Sequence, residues 1–252
     1  MRVRHVEQVM GTVFTVDAVF SDATEGQARK VVSRACRSLH EADDLFSTWR
    51  PETPVSLLRS GDITPDQTTQ TVRDVLDECR HARAQSGGWF DPWAAPGGVD
   101  PTGYVKGWAG QQVLEILRDE GADAALVNAA GDVVGVGGPE PSKPWRLGVT
   151  DPFSPHELLG VIPIVNSALA VSGTYERGAH IFDPSDGSAA GAGVVSAAVV
   201  GPELGLADAL ATALVAGGER ALVHVARLSD HEALVIFADR TSRQTQNFPL
   251  LS

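Results

Sequence analysis

A chain of 252 residues, 43% hydrophobic and 21% charged, is long enough to bury a sizeable core as one large domain or two small ones, and too apolar to be disordered. A formal net charge of −12 opposes nucleic acid or an anionic membrane as a partner, but not a phosphorylated ligand recognised through a divalent cation and backbone donors. Cys36 and Cys79 lie far apart without metal-ligand spacing and read as core thiols.

The opening stretch "MRVRHVEQVMGTVFTVDAVF" lacks the apolar run of a signal peptide, and no segment approaches the roughly 18 apolar residues of a membrane span. The chain as given therefore reads as cytoplasmic and without membrane insertion, or as extracytoplasmic if a leader was removed. Residues 12–20 alternate as a strand, and Ala28, Val32, Ala35, Leu39, Ala42 and Phe46 follow helical spacing over 25–46. Pro51 and Pro54 stop that helix. A second helix fits 72–84, and a third fits 105–119. Between them, residues 86–107 form a long Gly/Pro-rich segment with two of the five tryptophans, a length that within a compact domain points to function. Short β-like runs follow at 124–128, 132–137, 145–150, 158–165, 168–173 and 194–201. The Ala-rich helix 205–216, a helix at 219–227 and a strand at 232–239 complete the chain. Long early helices before a β-rich body predict an α+β fold.

Several motifs carry chemistry. In "GLADALATALVAGG" Asp208 and Thr212 are four residues apart and share a helix face. Thr212 can bond back to its own helix while Asp208 reaches solvent or an arginine, the ordinary arrangement for such a pair; alternatively, the pair can hold a hard cation such as Mg²⁺ through oxygen ligands. Spacing alone does not choose. In "VDPTGYVKGWAG" Lys106 sits near a helix start, where a cation is disfavoured unless an anion is close, although an exposed lysine there is also ordinary. "VNAAGDVVGVG" reads as strand, turn and strand with Gly131-Asp132 in the turn. His180, beside an apolar pair and an Asp-Pro turn, reads locally as a structural histidine. The Walker A loop, the G-x-S-x-G elbow, H-E-x-x-H and C-x-x-C are all missing, which disfavours a P-loop enzyme, a serine hydrolase, a zinc protease and a redox dithiol.

The order of the blocks is more specific than any one of them. "MGT" (10–12), "FSTWRP" (46–51), "GWFDPWAAP" (88–96), "DPTGYVKGWA" (100–109), "LVNAAGD" (126–132), "AVSGTYERG" (170–178), "HIFDPSDG" (180–187) and "ADALATAL" (207–214) occur in sequence. Together they resemble the ApbE-type flavin transferases, FAD:protein FMN transferases, over roughly residues 10–216. The resemblance implies an ApbE-like, T-fold-related, two-lobed single domain over 1–252, with mixed or antiparallel sheets and FAD held between the lobes.

It also implies the chemistry. The family uses Mg²⁺ to split the pyrophosphate of FAD and attaches FMN by a phosphoester to a Ser or Thr hydroxyl of a target protein. Asp208 and Thr212 match its magnesium ligands, with the Gly103 backbone oxygen a third. Met10, Trp49, Trp89, Phe90, Asp91, Asp100, Lys106 and Ile181 match FAD-contacting positions. His180 matches a candidate base for the incoming hydroxyl, and Lys106 would add charge stabilisation. Departures are visible: Trp49 stands where the family has Tyr, trading a phenol O–H for an indole N–H. "NAAGD" has lost one glycine of the family's turn, so an alanine at positive φ would carry strain. FAD pyrophosphatase and non-catalytic FAD binding are the alternative activities.

Overall fold

The computed structural model describes residues 1–173, 181–190 and 193–251. It opens with a strand that the sequence did not suggest: β1, Arg2–Val9, pairs antiparallel with β2, Thr12–Val19. Polar residues at its inward positions hide the alternation. Met10 and Gly11 close the hairpin, both at positive φ, the two-residue geometry that matches strand twist.

Helix α1, Glu25–Phe46, starts at a capping box in which Thr24 and Gln27 satisfy each other's backbone donors. Its buried stripe is the expected one, Ala28 through Phe46, with Cys36 added. Pro54 does not merely follow a helix; it is the first residue of α2, Pro54–Ser60, capped by the Thr53 hydroxyl. Proline suits that position because its missing N–H would be unpaired there anyway. Next come α3, Gln70–Gln85, and α4, Thr102–Asp119, which begins three residues before the expected start.

Strands β3, Ala124–Ala129, and β4, Asp132–Val136, form a hairpin. The turn residues are Ala130 and Gly131, not Gly131 and Asp132. Ala130 takes φ 54° and Gly131 φ 104°, so the expected alanine strain is present, of order 1–2 kcal/mol. Asp132 opens β4 instead, and its side chain is free for another role. Then follow β5, Trp145–Asp151, β6, Ser154–Ile164, β7, Ser167–Gly173, and β8, Val194–Gly201. Helix α5, Leu204–Gly217, and α6, Glu219–Val225, lead to β9, Glu232–Phe237, and the short β10, Ser242–Gln244, which the sequence reading also omitted.

Among the described residues eight strands form one sheet in the order β1-β2-β3-β4-β7-β8-β9-β10, and β5 and β6 form a separate two-stranded sheet. Among the described residues every strand pair is antiparallel. The helices cover one face of the large sheet and the β5–β6 hairpin covers part of the other. Strand periodicity makes the division: Ala125, Val127 and Ala129 of β3 join the helical core, whereas Ala124 and Leu126 pack with Trp145, Ile162 and Ile164 of the hairpin. Both cysteines are free and buried. Among the described residues no helix is long and apolar enough to cross a membrane.

Helix α5 is buried on almost every side, as an all-round apolar helix must be. It runs antiparallel to α4, and the two approach through glycines. A Cβ at Gly107 would collide with the Leu204 carbonyl oxygen, one at Gly110 would lie 3.3 Å from Leu204, and one at Gly205 would lie 2.9 Å from the Tyr104 ring. Gly107→Ala should therefore destabilise the protein by about 1–3 kcal/mol, as overpacking does. Gly26→Ala is the control, since that helical position has open space and should change stability by no more than about +1 kcal/mol. Urea unfolding of both variants checks the pair.

Candidate active site

The close crossing brings the first two turns of α4 beside the middle of α5. Lys106 is the fifth residue of α4, and its ammonium reaches two acids from different elements. It contacts Asp132 Oδ2 at the start of β4 and lies 3.3 Å from Asp208 Oδ2 on α5. Both carboxylates are buried, at 1% and 3% exposure. The other Asp132 oxygen accepts the Val171 backbone N–H from β7 at 2.8 Å, so Asp132 joins β4, β7 and α4. The anion that a lysine near a helix start calls for is thus supplied by the chain itself.

Thr212 lies one turn beyond Asp208 on the same helix face. A Cβ built on Gly103 would stand 3.5 Å from the Thr212 hydroxyl and 3.2 Å from the Phe90 ring. Gly103, Thr212 and Phe90 therefore border one small space, kept open because Gly103 has no side chain. Four of the expected residues, Gly103, Lys106, Asp208 and Thr212, come together, with Phe90 at their edge. Tyr104, between Gly103 and Val105 on α4, turns inward; burial pushes its phenol well above its ordinary range, so it acts as a neutral packing group.

The remaining expected residues have definite surroundings. Trp89 lies against Gly217 at the end of α5, and the Arg220 guanidinium stacks 4.4 Å from its ring centre. Phe90 is buried, and its N–H donates to Ser86 Oγ at 3.1 Å. Asp91 accepts from Arg83 at 2.6 Å and from the Trp93 N–H at 3.0 Å. Asp100 caps the entry to α4, accepting from Thr102 N–H and hydroxyl, and pairs with Arg59 at 2.9 Å. Met10 occupies the β1–β2 turn. Trp49 is 94% exposed, an open aromatic face. The buried Ile181 carbonyl accepts the Ala190 N–H. His180 lies outside the described residues.

Asp132 is the site residue that the sequence reading missed, because Asp beside Gly is an ordinary turn former. The available signal was its place as the final acid of the "NAAGD" block: with Ala130-Gly131 making the two-residue turn, the next residue is already in a strand. An aspartate there, followed by three apolar or small residues, needs a partner.

A model of the ApbE family matches residues 10–98 and 97–236. Among curated proteins the chain is similar to the FAD:protein FMN transferase of Vibrio cholerae, 29% identical over 147 residues that make up 55% of this chain and 44% of that protein. It is 37% identical to that of Rhodobacter capsulatus over 48% of this chain and 24% of the relative. It is 28% identical to that of Treponema pallidum over 58% and 45%. The chain thus spans less than half the length of these relatives in each match. Among solved structures, the flavin transferase ApbE from Vibrio cholerae superposes with a TM-score of 0.87 at 21% identity, covering 100% of this chain and 99% of that one. The ApbE protein from Thermotoga maritima gives 0.85 at 19%, covering 98% of each. At these identities the superpositions establish the fold.

Removing Asp132 would leave Lys106 with Asp208 and strip the Val171 N–H of its acceptor. Asp132→Ala should cost about 3–5 kcal/mol, the scale for breaking a buried ion pair from one side. Asp132→Asn, which retains an acceptor for Val171, should cost less, and chemical denaturation of the two variants measures the difference.

Proposed function

Because the chain belongs to the ApbE family, we propose that it is a Mg²⁺-dependent FAD:protein FMN transferase. The observation that carries this reading is the oxygen-donor set at the α4–α5 crossing: the Asp208 carboxylate, the Thr212 hydroxyl and the backbone of Gly103, with Lys106 alongside. These donors fit a hard divalent cation, which takes carboxylate, hydroxyl and carbonyl oxygens rather than nitrogen or sulfur. The missing Cβ of Gly103, beside the Thr212 hydroxyl, supports the same assignment, since a side chain there would fill the space such an ion needs. When bound, Mg²⁺ supplies neutralisation of the charge that grows on the departing phosphate.

The chain's own residues supply the remaining work. Lys106 is held between Asp132 and Asp208, so its ammonium is fixed before any ligand enters and needs no reorganisation to face a phosphate oxygen. Phe90, buried at the edge of the donor set, excludes water from one side. Trp89 with Arg220, and the open face of Trp49, are aromatic surfaces suited to stacking against a flat ring. In the transfer, the acceptor hydroxyl oxygen bonds to the FMN phosphorus, the bond from that phosphorus to the bridging oxygen breaks, and AMP leaves with the bonding pair. The hydroxyl proton passes to a base, assigned here to His180, with a contribution of about 10²–10⁴-fold. A flavin-accepting protein, presenting a Ser or Thr, is the second substrate.

Incubated with FAD, Mg²⁺ and a flavin-accepting peptide, the protein should release AMP and leave flavin on the peptide after denaturation. EDTA should stop the reaction and excess Mg²⁺ restore it, and Asp208→Ala should lower turnover by orders of magnitude. AMP accompanied only by free FMN would replace transfer with pyrophosphate hydrolysis. Flavin binding without AMP under any metal condition would remove catalysis altogether.

A further inference from the structure

The inward face of β1 departs from the rest of the sheet. Val3 and Val9 are buried there, but the two positions between them are His5 and Glu7. Helix α1, which packs against β1, answers with Cys36, only 2% exposed, and His40 one turn later. Residues two apart on a strand and four apart on a helix each share a face, so the four side chains converge from two elements. His5 Nε2 is 2.9 Å from Glu7 Oε2, and His40 Nε2 is 3.1 Å from Glu7 Oε1. The donor atoms of His5, Glu7 and Cys36 all lie within 4.8 Å of one another.

We propose that His5, Glu7 and Cys36 form a Zn²⁺ site that clips the edge strand β1 to helix α1, with water as the fourth ligand and His40 as the hydrogen-bond partner that orients Glu7. One thiolate, one imidazole and one carboxylate make a donor set suited to zinc and not to Mg²⁺ or Ca²⁺, which demand oxygen. Bonds of about 2.0–2.3 Å in a tetrahedron place ligand atoms about 3.3–3.8 Å apart. The His5–Glu7 hydrogen bond would therefore open by only about half an ångström to admit the ion. Cys36 closes the inner end, while the partly exposed rings of His5 and His40 leave an entry path. Burial, and then the charge of Glu7, push the Cys36 thiol up to about 12, so it is protonated without a metal. A bound dication reverses that preference: the S–H bond is exchanged for a sulfur–metal bond and one proton passes to the buffer. None of these residues belongs to the Lys106 cluster, and the site is independent of the flavin chemistry.

The test is titration of metal-free protein with Co²⁺ and then Zn²⁺, with excess Mg²⁺ present to occupy oxygen-ligand sites. One Co²⁺ per chain should bind, with the intense visible bands of a tetrahedral centre and a thiolate-to-cobalt charge-transfer band. Zn²⁺ should bleach both and raise the melting temperature. Cys36→Ser should abolish the charge-transfer band and weaken Zn²⁺ binding by about 100-fold or more, since even an outer hydrogen-bond partner is worth 10–100-fold. His40→Gln, at an exposed helical position that leaves folding intact, should keep that band and weaken binding by about tenfold or more. No cobalt band, a charge-transfer band that survives Cys36→Ser, or Zn²⁺ affinity unchanged by His40→Gln would overturn the proposal.

Discussion

A side chain at Gly107 would collide with the backbone of Leu204, so α4 and α5 meet where neither has any bulk to spare. That contact sets the position of everything charged between them. Lys106 is the neighbour of Gly107 and emerges at the crossing; Asp208 lies one turn along α5 from Leu204; Gly103 and Thr212 face each other one turn further out. Alanines on the helical face of the sheet, among them Ala125, Ala129, Ala168, Ala170 and Ala197, let α5 lie low enough for Asp132 of β4 to join. A bulkier interface would separate the ammonium from its two carboxylates, and each would then be buried at a cost of several kcal/mol.

Buried ion pairs are poor devices for stability, because desolvation consumes most of what the attraction contributes. Two buried acids around one lysine, in an otherwise apolar layer, are a local exception to the logic of the core, and such exceptions concentrate at functional sites. The fold accommodates this one with particular compensations. Asp132 takes a backbone N–H from β7, the Tyr104 ring fills the space over Gly205, and the β3–β4 turn tolerates Ala130 at positive φ. The edge of the sheet carries a second exception, His5 and Glu7 on the inward face of β1, physically separate from the first and of different donor chemistry.

Much of the local structure was legible. The stripe from Ala28 to Phe46 needs only helical periodicity, the two buried cysteines only their apolar surroundings, and the shared face of Asp208 and Thr212 only a four-residue spacing. The elements that escaped did so for identifiable reasons. In β1 the inward positions alternate Val, His, Glu, Val, which erases the apolar period. In α2 a proline that reads as a helix stop begins a helix instead, and seven residues are too few to show a period. In β10 three exposed residues carry no pattern at all.

By itself, the sequence determined most helices and strands, the α+β class and, through the order of its blocks, the family. Each of these depends on residues close together in the chain or on their order along it. The tertiary structure alone decided which charges meet. Lys106, Asp132 and Asp208 come from a helix, a strand and another helix, and His5 and Cys36 from a strand and a helix separated by β2. Spacing along the chain says nothing about such pairs, because the distance between them is set by how closely glycine-lined helices cross and by which face of a strand turns inward.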